Sequence, residues 1–356
     1  MYQRKSRRCC AWMLIVSTCL RLCMLLGLDT RAMTLLTQAA AKPETGKLLL
    51  FLETGRILDI EPPPPEVRVS VLRVEEPQPR PETVSMPMEV HMVPDPALPE
   101  ALADAEEIPV AGACTYSYDK ADLLDRPSAM DLTGDGPKVL IVHTHGTEAY
   151  TPTAEQPYEA ITDYRTLEAD RSVIAVGAEL ARTLEAGGIS VLHDTSVNDY
   201  PSYNDSYWTT LSRIQGWLEQ YPGIQMVIDL HRDGVEDADG GAVALSCTQQ
   251  GQQAARLMLV VGTDQGGLAH PDWQENLANG LKLQSVLEGA YPGLCRSLDL
   301  RTERFNQHMT PGSLLVEVGS NGNTLSEALT SARLLGDGLC RMLHALEQNG
   351  GTLQNG

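Results

Sequence analysis

From residue 137 onwards, short continuous apolar runs alternate with longer stretches in which apolar residues recur at helical spacing. The continuous runs predict strands buried on both faces, at residues 139–142, 189–192, 224–230, 257–261 and 313–318. The helical stretches lie between and after them, at residues 167–186, 207–220, 272–291 and 324–347. Strands that alternate with helices favour parallel pairing, so the predicted fold is α/β, with a single mostly parallel sheet flanked by helices.

The amino terminus has a different pattern. A cluster of basic residues at positions 4–8 precedes an apolar run at 9–28, which Arg21 alone interrupts with a charge. A run of about 20 apolar residues suits a membrane-spanning helix, with the basic cluster on the cytoplasmic side. We therefore expect a cytoplasmic tip and uncleaved anchor at residues 1–30. The alternative is a signal peptide cut near residues 39–41; either way, the rest is expected outside the cytoplasm.

Residues 31–135 are predicted to be an extracytoplasmic spacer. Between positions 62 and 99 the chain carries 11 of its 22 prolines, a composition that favours extended, semi-rigid backbone. The expected organisation is an anchor at 1–30, a Pro-rich, weakly structured spacer at 31–135 and a catalytic domain at 136–349. A chain that begins near Pro127 is then expected to fold unaided.

Three predicted strands end in, or contain, side chains that bind metals or transfer protons, namely His143, His145, Glu148, Asp229, His231, Arg232 and Glu317. Burying such groups without partners costs several kcal/mol on the order given for isolated polar groups. The carboxyl ends of parallel strands meet at one edge of a sheet, where open α/β sheets place their chemistry. The sequence therefore predicts that these side chains form one site.

The side chains in this set match metal-assisted hydrolysis. A catalytic zinc takes three protein ligands, here predicted as His145, Glu148 and His231, and lowers the pKa of a bound water to roughly 7. Glu317 is the predicted general base, and Arg232 is predicted to stabilise an oxyanion or to anchor a substrate carboxylate.

The choice of histidine has an alternative. In the segment His143-Thr144-His145 either histidine could be the ligand, and strand alternation would point both to the same face; His145 is preferred because Glu148 follows it by three residues.

Composition removes several other classes of function. The net charge of −20 leaves no basic stripe for a phosphate backbone, so nucleic-acid binding is not expected. The eight cysteines show no spacing typical of a disulfide framework, and the chain has no G-x-S-x-G segment for a serine hydrolase.

Several ordered motifs together resemble one known family, the membrane-anchored stage II sporulation protein P. They include KVLIVHTHGTEAY at 138–150, VIDLHRDG at 227–234 and RFNQHMTPGSLLVEVGSNGNTLSEAL at 304–329. The last segment also resembles the wider group of zinc N-acetylmuramoyl-L-alanine amidases, whose catalytic glutamate follows a buried strand as Glu317 does. That group takes its carboxylate ligand from the start of the following helix, so the resemblance implies Glu168 or Asp170 as an alternative to Glu148.

The resemblance implies a specific activity and setting. The expected reaction is hydrolysis of the amide between N-acetylmuramic acid and L-alanine in peptidoglycan, and the family is also credited with cleaving peptide cross-links. The expected cofactor is Zn²⁺, and the expected partners are a lytic transglycosylase and a membrane protein of the engulfment machinery. The expected location is the membrane that engulfs the forespore during sporulation. A zinc carboxypeptidase or endopeptidase, and a catalytically silent wall-binding scaffold, are the alternatives.

Overall fold

The computed structural model describes Pro94 and residues 96–353, and the centre of this part of the chain is a seven-stranded sheet. The strand order is β1-β10-β9-β11-β6-β2-β5. These strands are β1 (Val110–Ala111), β2 (Val139–Val142), β5 (Val191–His193), β6 (Met226–Asp233), β9 (Leu257–Gly262), β10 (Leu298–Arg301) and β11 (Leu314–Ser320). Two short hairpins stand apart from the sheet, β3–β4 (Ala160–Thr162 and Arg165–Thr166) and β7–β8 (Ser246–Gln249 and Gln252–Ala255).

Five α-helices belong to the described residues. They are α1 (Lys120–Asp125), α2 (Val173–Ala186), α3 (Ser206–Gln220), α4 (Trp273–Ala290) and α5 (Leu325–Gln348). The sequence gives clear reasons for two of their starts. Ser172 caps α2 by accepting a hydrogen bond from the amide of Ile174, and Thr324 with Glu327 forms a reciprocal capping box at α5.

The fold is α/β and its central sheet is mostly parallel, as predicted. Strands β5, β2, β6 and β11 run parallel to one another, and β9, β10 and β1 form a second parallel block. The two blocks meet at β11 and β9, which pair antiparallel, with Glu317 opposite Met258. The amino ends of β9 and β10 therefore lie at the same edge of the sheet as the carboxyl ends of β2, β6 and β11.

Both faces of the central strands are covered. Val139 and Ile141 belong to the main core beneath the long helices, whereas Leu140 and Val142 pack with Ile214 of α3 on the opposite face. This alternation explains why the sequence of β2 is apolar at every position.

Strand β10 was not predicted, because it is only half buried. Leu298 and Leu300 face the main core, while Asp299 and Arg301 line a cavity on the other face. Its alternating sequence therefore lacks the continuous apolar run that marked the other strands.

The residues just before 136 are part of the fold, which differs from the predicted spacer boundary. Ile108 and Leu123 are completely or almost completely buried in the main core, and β1 pairs with β10 at the edge of the sheet. Helix α1 packs against α4, and Lys282 of α4 donates a hydrogen bond to the carbonyl oxygen of Leu123 at 3.0 Å. The composition of the proline-rich part suggested a spacer, but these contacts begin well before residue 136.

No helix among Pro94 and residues 96–353 is both long and apolar enough to cross a membrane. The predicted anchor at residues 1–30 and most of the predicted spacer lie outside the described residues.

Candidate active site

The predicted catalytic side chains meet over one face of the sheet, at the edge where β2, β6 and β11 end. Along β11, Leu314, Val316 and Val318 face the main core, so alternation turns Glu317 to the opposite face. His231 of β6 is the register partner of Glu317 and lies beside it on that face. The cavity there has a volume of about 390 Å³ and is lined by His145, Glu148, Arg165, Tyr203, Tyr207, His231, Arg232, Met258, Asp299, Arg301, Phe305 and Glu317, among others.

His231 lies between two carboxylates. Its Nδ1 is 3.3 Å from Oε2 of Glu148, and its Nε2 is 3.0 Å from Oδ1 of Asp229. Asp229 is itself fixed by two hydrogen bonds from Thr144, from the backbone N–H at 2.8 Å and the hydroxyl at 2.6 Å. Burial opposes a charge on His231, but Asp229 and then Glu148 raise its pKa well above 6.5. The site therefore attracts positive charge at this imidazole.

His145 is held by an aromatic ring. Its imidazole stacks on Tyr203 with the ring centroids 4.4 Å apart and the planes 8° from parallel, and it lies edge-on to His231 at 5.2 Å. Burial lowers the pKa of His145 to about 4, so its imidazole is neutral at pH 7. The neutral imidazole is the form that binds a metal.

Glu148 is surrounded by positive groups. Its Oε2 accepts a hydrogen bond from the backbone N–H of Arg232 at 3.2 Å, and its Oε1 lies 3.5 Å from Arg165. Burial alone would raise the pKa of this carboxyl, but the contact with His231 and the charge of Arg232 hold it below its usual range. Glu148 is therefore ionised at neutral pH.

Glu317 has the opposite tendency. Its Oε2 is buried and has no hydrogen-bond partner among the described residues. Burial raises the pKa of its carboxyl to about 8, and the neighbouring Glu148 adds to the rise while His231 opposes it. The two glutamates in one cavity thus have pKa values on opposite sides of neutrality, a pattern typical of acid–base sites.

The guanidinium of Arg232 is committed to the backbone. Nε donates to the carbonyl oxygen of Ala149 at 2.8 Å, Nη2 to that of Tyr164 at 2.9 Å and Nη1 to that of Asp233 at 3.3 Å. Arg232 lines the cavity, but these bonds tie the β3–β4 hairpin and the segment after β2 to β6.

The alternative ligands lie outside this cavity. His143 is buried between the carbonyl oxygen of Leu230, 3.0 Å from its Nδ1, and His193, whose Nε2 is 2.8 Å from its own. It does not share surroundings with His145, because β2 ends at Val142 and the chain turns, so strand alternation no longer applies. Glu168 is exposed and accepts a hydrogen bond from the amide of Glu159.

Asp170, the remaining alternative ligand, is also exposed and pairs with Arg171 at 3.0 Å. Of the three candidate carboxylates, Glu148 is therefore the one that the fold brings to the two histidines.

The donor set, two imidazoles and a carboxylate, fits zinc in kind. Nδ1 of His145 is buried and has no hydrogen-bond partner among the described residues. Two ligands of a tetrahedral zinc, bonded at about 2.0–2.1 Å, are roughly 3.3 Å apart, as are Nδ1 of His231 and Oε2 of Glu148. Within residues 96–353, however, no three histidine, cysteine, aspartate or glutamate side chains already form a complete metal-binding group.

Three residues that the sequence did not single out complete the wall around His145. Asp199 accepts hydrogen bonds from Thr147 and from Arg165, each at 2.6 Å, and lies 3.9 Å from Nδ1 of His145. Arg165 also lies over the ring of Tyr203, 4.8 Å from its centroid. One signal was present in the sequence: tyrosines at 200, 203 and 207 stand close together in a chain with only 5% aromatic residues.

Comparisons with known proteins found similar solved structures and a relative in sequence. It is similar in structure to the CwlD amidase from Clostridioides difficile, in complex with the GerS lipoprotein (13% identity, TM-score 0.31, covering 58% of this chain and 95% of that one). The amidase AmiC2 of Nostoc punctiforme gives 13% identity and a TM-score of 0.33, over 58% of this chain and 96% of that one. In sequence, the stage II sporulation protein P of Bacillus subtilis (strain 168) is 27% identical over 229 residues.

That match covers 61% of this chain and about half, 54%, of the Bacillus subtilis protein. The model of the family described as stage II sporulation protein P (SpoIIP) matches residues 81–339, which is most of the chain and includes each side chain of the candidate site. The chain belongs to the stage II sporulation protein P family.

Proposed function

We propose that this protein is a zinc-dependent N-acetylmuramoyl-L-alanine amidase, a hydrolase of peptidoglycan in the cell wall. The observation that carries the proposal is the convergence of His145, Glu148, His231 and Glu317 from three different strand ends on one cavity. An unpartnered buried nitrogen on His145 and an unpartnered oxygen on Glu317 support it, because such atoms are costly unless a ligand or a substrate engages them.

In this proposal His145, Glu148 and His231 hold the zinc. When bound there, zinc supplies Lewis-acid chemistry, which acidifies water and polarises the scissile carbonyl group. Asp229 and Thr144 fix the orientation of His231, and Tyr203 fixes the ring plane of His145. Such outer contacts orient metal ligands in proteins.

Glu317 moves the proton. Its carboxylate takes a proton from the attacking water and later delivers it to the nitrogen of the leaving L-alanine. Burial raises the pKa of Glu317 and a bound cation would lower it, and a base with a pKa near the operating pH both accepts and returns a proton. Arg232 holds its three carbonyl groups in place and contributes positive charge beside Glu148.

The cellular setting is proposed from the family to which the chain belongs. A sporulating cell would use the enzyme to remove stem peptides from glycan strands during engulfment, with a lytic transglycosylase acting on the denuded strands and a membrane protein of the engulfment machinery as a further partner. The basic cluster and apolar run at residues 1–30 would anchor it to the outer side of that membrane.

A carboxypeptidase needs a free cation to grip the terminal carboxylate of its substrate. The sequence offers Arg232 and Arg304 for this task. The guanidinium of Arg232 is occupied by three carbonyl groups, and Arg304 donates to the carbonyl oxygen of Ala269 and does not line the catalytic cavity, which favours the amidase. A catalytically silent scaffold would not need His145, His231, Glu148 and Glu317 in one buried cavity, where they cost free energy.

The deciding experiment combines metal analysis with mass spectrometry of digested peptidoglycan. We expect one zinc per chain and release of whole stem peptides from muramic acid. His231→Ala should lose zinc and turnover together, whereas Tyr200→Ala, an exposed residue that does not line the cavity, should keep both. Release of single carboxy-terminal amino acids would replace the amidase by a carboxypeptidase, and full zinc occupancy with normal turnover in His231→Ala would remove His231 from the ligand set.

A further inference from the structure

The catalytic cavity continues into two further depressions that lie at opposite ends of strands β9 and β10. The first lies past their carboxyl ends, between α3 and the segments 266–268 and 302–306, and shares Tyr207 and Phe305 with the cavity. The second lies at their amino ends and shares Met258 and Asp299 with it. A strand of six residues such as β9 spans roughly 20 Å. The shared lining residues place the three depressions side by side along this face of the sheet, and we call this row the path.

The first depression, which we call the aromatic groove, is mainly apolar and has a volume of about 300 Å³. Tyr207, Trp208, Leu268 and Phe305 are its apolar members. Trp208 is 66% exposed and Leu268 is 56% exposed, so large apolar faces are open to solvent beside the catalytic cavity. Its charged members, Glu303 and Arg304, are one of each sign, so the groove has little net charge.

The second depression, the arginine pocket, has a volume of about 430 Å³ and the opposite chemistry. It is lined by Arg256, Arg296 and Asp299, and the carboxylate of Asp299 is paired with Arg301 at 3.1 Å. Arg256 donates to the carbonyl oxygens of Gly293 and Cys295, and Arg296 pairs with Asp233 at 2.7 Å. Each guanidinium keeps at least one nitrogen without a partner in the described part of the chain. In a protein with a net charge of −20, two such arginines in one pocket favour an anionic ligand.

We propose that these depressions set the direction in which the substrate lies: the glycan strand occupies the aromatic groove, and the stem peptide occupies the arginine pocket. The inference rests on the proposed function, because it assigns the two sides of the amide to the two ends of the path. Sugar rings of the strand are uncharged and present apolar C–H faces, which stack on exposed aromatic rings such as Trp208. Stem peptides carry free carboxylates, which an arginine binds through parallel hydrogen bonds.

The opposite direction is chemically poorer. It would place peptide carboxylates against Trp208 and Leu268, and uncharged sugars against Arg256 and Arg296, whose free nitrogens would then lose water without gaining an anion. Glu317 lines the cavity between the two depressions, opposite Met258, which the cavity shares with the arginine pocket, and the amide joining sugar and peptide would lie there.

The glycan end can be tested without any turnover. The probe is soluble denuded glycan whose lactyl carboxylates have been amidated, so that it is uncharged as in the intact substrate, and its binding to the full chain is followed by tryptophan fluorescence and calorimetry in the presence of a chelator. We expect Trp208→Ala and Leu268→Ala to weaken binding, the former about tenfold. Tyr200→Ala removes an aromatic ring that is 52% exposed outside the groove, and it should bind as the unchanged protein does.

The peptide end has its own probe, the free stem peptide with its carboxylates either intact or amidated. The unchanged protein should prefer the intact peptide about tenfold, and Arg256→Gln and Arg296→Gln should each reduce that preference. The ratio of the two affinities is the readout because a variant that is merely destabilised would bind both peptides less. Arg182→Gln, which changes an arginine on α2 that pairs with Glu179, is the matched control and should keep the preference.

The two probes together decide the direction. Simultaneous binding, with glycan sensitive to Trp208 and peptide sensitive to the arginines, supports the proposal. Equal glycan binding by Trp208→Ala and the unchanged protein, or displacement of glycan by the stem peptide, overturns it. If both probes bind as expected but intact peptidoglycan is not hydrolysed, the proposed amidase activity fails while the direction of binding stands. If peptidoglycan is hydrolysed and neither set of variants alters binding, the proposed direction of binding fails while the amidase activity stands.

Discussion

Glu317 occupies a strand position where burying a carboxylate costs free energy. Its neighbours Val316 and Val318 are completely buried, and its own Oε2 has no hydrogen-bond partner among the described residues. Desolvation therefore raises the pKa of the carboxyl to about 8, while the carboxylate of Glu148 in the same cavity stays ionised. A group kept at such cost in a core strand is explained by chemistry better than by packing.

Glu317→Gln tests this role. Glutamine keeps the shape of the side chain but cannot accept a proton, so turnover should fall about 10²–10⁴-fold, the usual contribution of a general base. Zinc content should not change, and thermal stability should hold or rise slightly, because a buried group that resists ionisation is replaced by a neutral one. Turnover, metal content and melting temperature are measured on the same preparation.

Two results would contradict the assignment. Loss of zinc in Glu317→Gln would make this residue a metal ligand. Retention of zinc with a nearly normal rate would place the base elsewhere in the cavity.

Lys282 gives a pH dependence that is independent of the site. This lysine is fully buried and donates to the carbonyl oxygen of Leu123, and burial lowers the pKa of its ammonium group from 10.5 to about 8. Between pH 8 and 10.5 the unfolded chain therefore binds more protons than the folded chain, so this residue makes stability rise with pH across that window. Lys282→Met should remove most of the rise.

The measurement is urea unfolding of both proteins at several pH values from 7.5 to 10. Parallel stability profiles for the unchanged protein and Lys282→Met would show that the lysine is not desolvated in the folded state.

For single residues, the sequence predicted which side chains belong to the site better than it predicted their contacts. His145, Glu148, His231 and Glu317 do line one cavity, because strand order and alternation place them there. The guanidinium of Arg232 meets three backbone carbonyl groups, and no pattern within its own strand encodes those partners. Asp199 was not singled out for the same reason, since Arg165 stands 34 residues away from it in the chain.

Among the secondary-structure elements, α1 is the least conspicuous in sequence and one of the most consequential. It has six residues, yet it buries Leu123 and supplies the carbonyl group that accepts from Lys282. Lys120 of the same helix donates to the carbonyl oxygen of Ile108 at 2.8 Å, which fixes the segment leading to β1. The structure thus assigns residues 108–125 a part in the fold, where a spacer was expected.

A chain that begins at Pro127 should therefore be less stable than one that begins at Ser85. It loses the buried side chains of Ile108 and Leu123, each worth roughly 1.5–3 kcal/mol, and it leaves the ammonium of Lys282 without its acceptor. At about 2–4 °C per kcal/mol for a domain of this size, the melting temperature should fall by roughly 10 °C. Thermal unfolding of the two chains provides the measurement.

Equal melting temperatures for the two chains would show that residues 85–126 contribute nothing to the fold and would restore the predicted boundary near residue 136. Leu123→Ala in the longer chain is a point control, since it should reproduce part of the loss without removing any backbone.

In the molecule as a whole, the sequence indicated the α/β class and the edge of the sheet that carries the chemistry. It did not indicate the antiparallel junction between β11 and β9, because the apolar run of β9 reads the same in either direction. That junction brings the amino ends of β9 and β10 to the catalytic edge, and Arg256 and Arg296 with them. Strand direction is a property of connections across the whole chain, which periodicity within one strand does not record.

The same assembly gathers buried carboxylates around two histidines, and this leads to a prediction about the stability of the whole molecule. Glu148, Asp199 and Asp229 are buried around His145 and His231, and they raise the affinity of the site for a cation. A ligand that binds only the folded chain stabilises it by about 4 kcal/mol at a thousandfold excess over its dissociation constant. Zinc added to chelator-treated protein should therefore raise the melting temperature by roughly 8–16 °C.

Magnesium should have little effect, because it prefers oxygen ligands and this site offers two imidazoles. In His231→Ala most of the zinc-dependent rise should disappear, whereas Tyr200→Ala, outside the cavity, should show the full rise. The readout is a thermal unfolding curve at several zinc concentrations, so it requires no substrate. A melting temperature that does not respond to zinc in the unchanged protein, or one that responds equally in His231→Ala, would mean that His145, Glu148 and His231 are not its ligands.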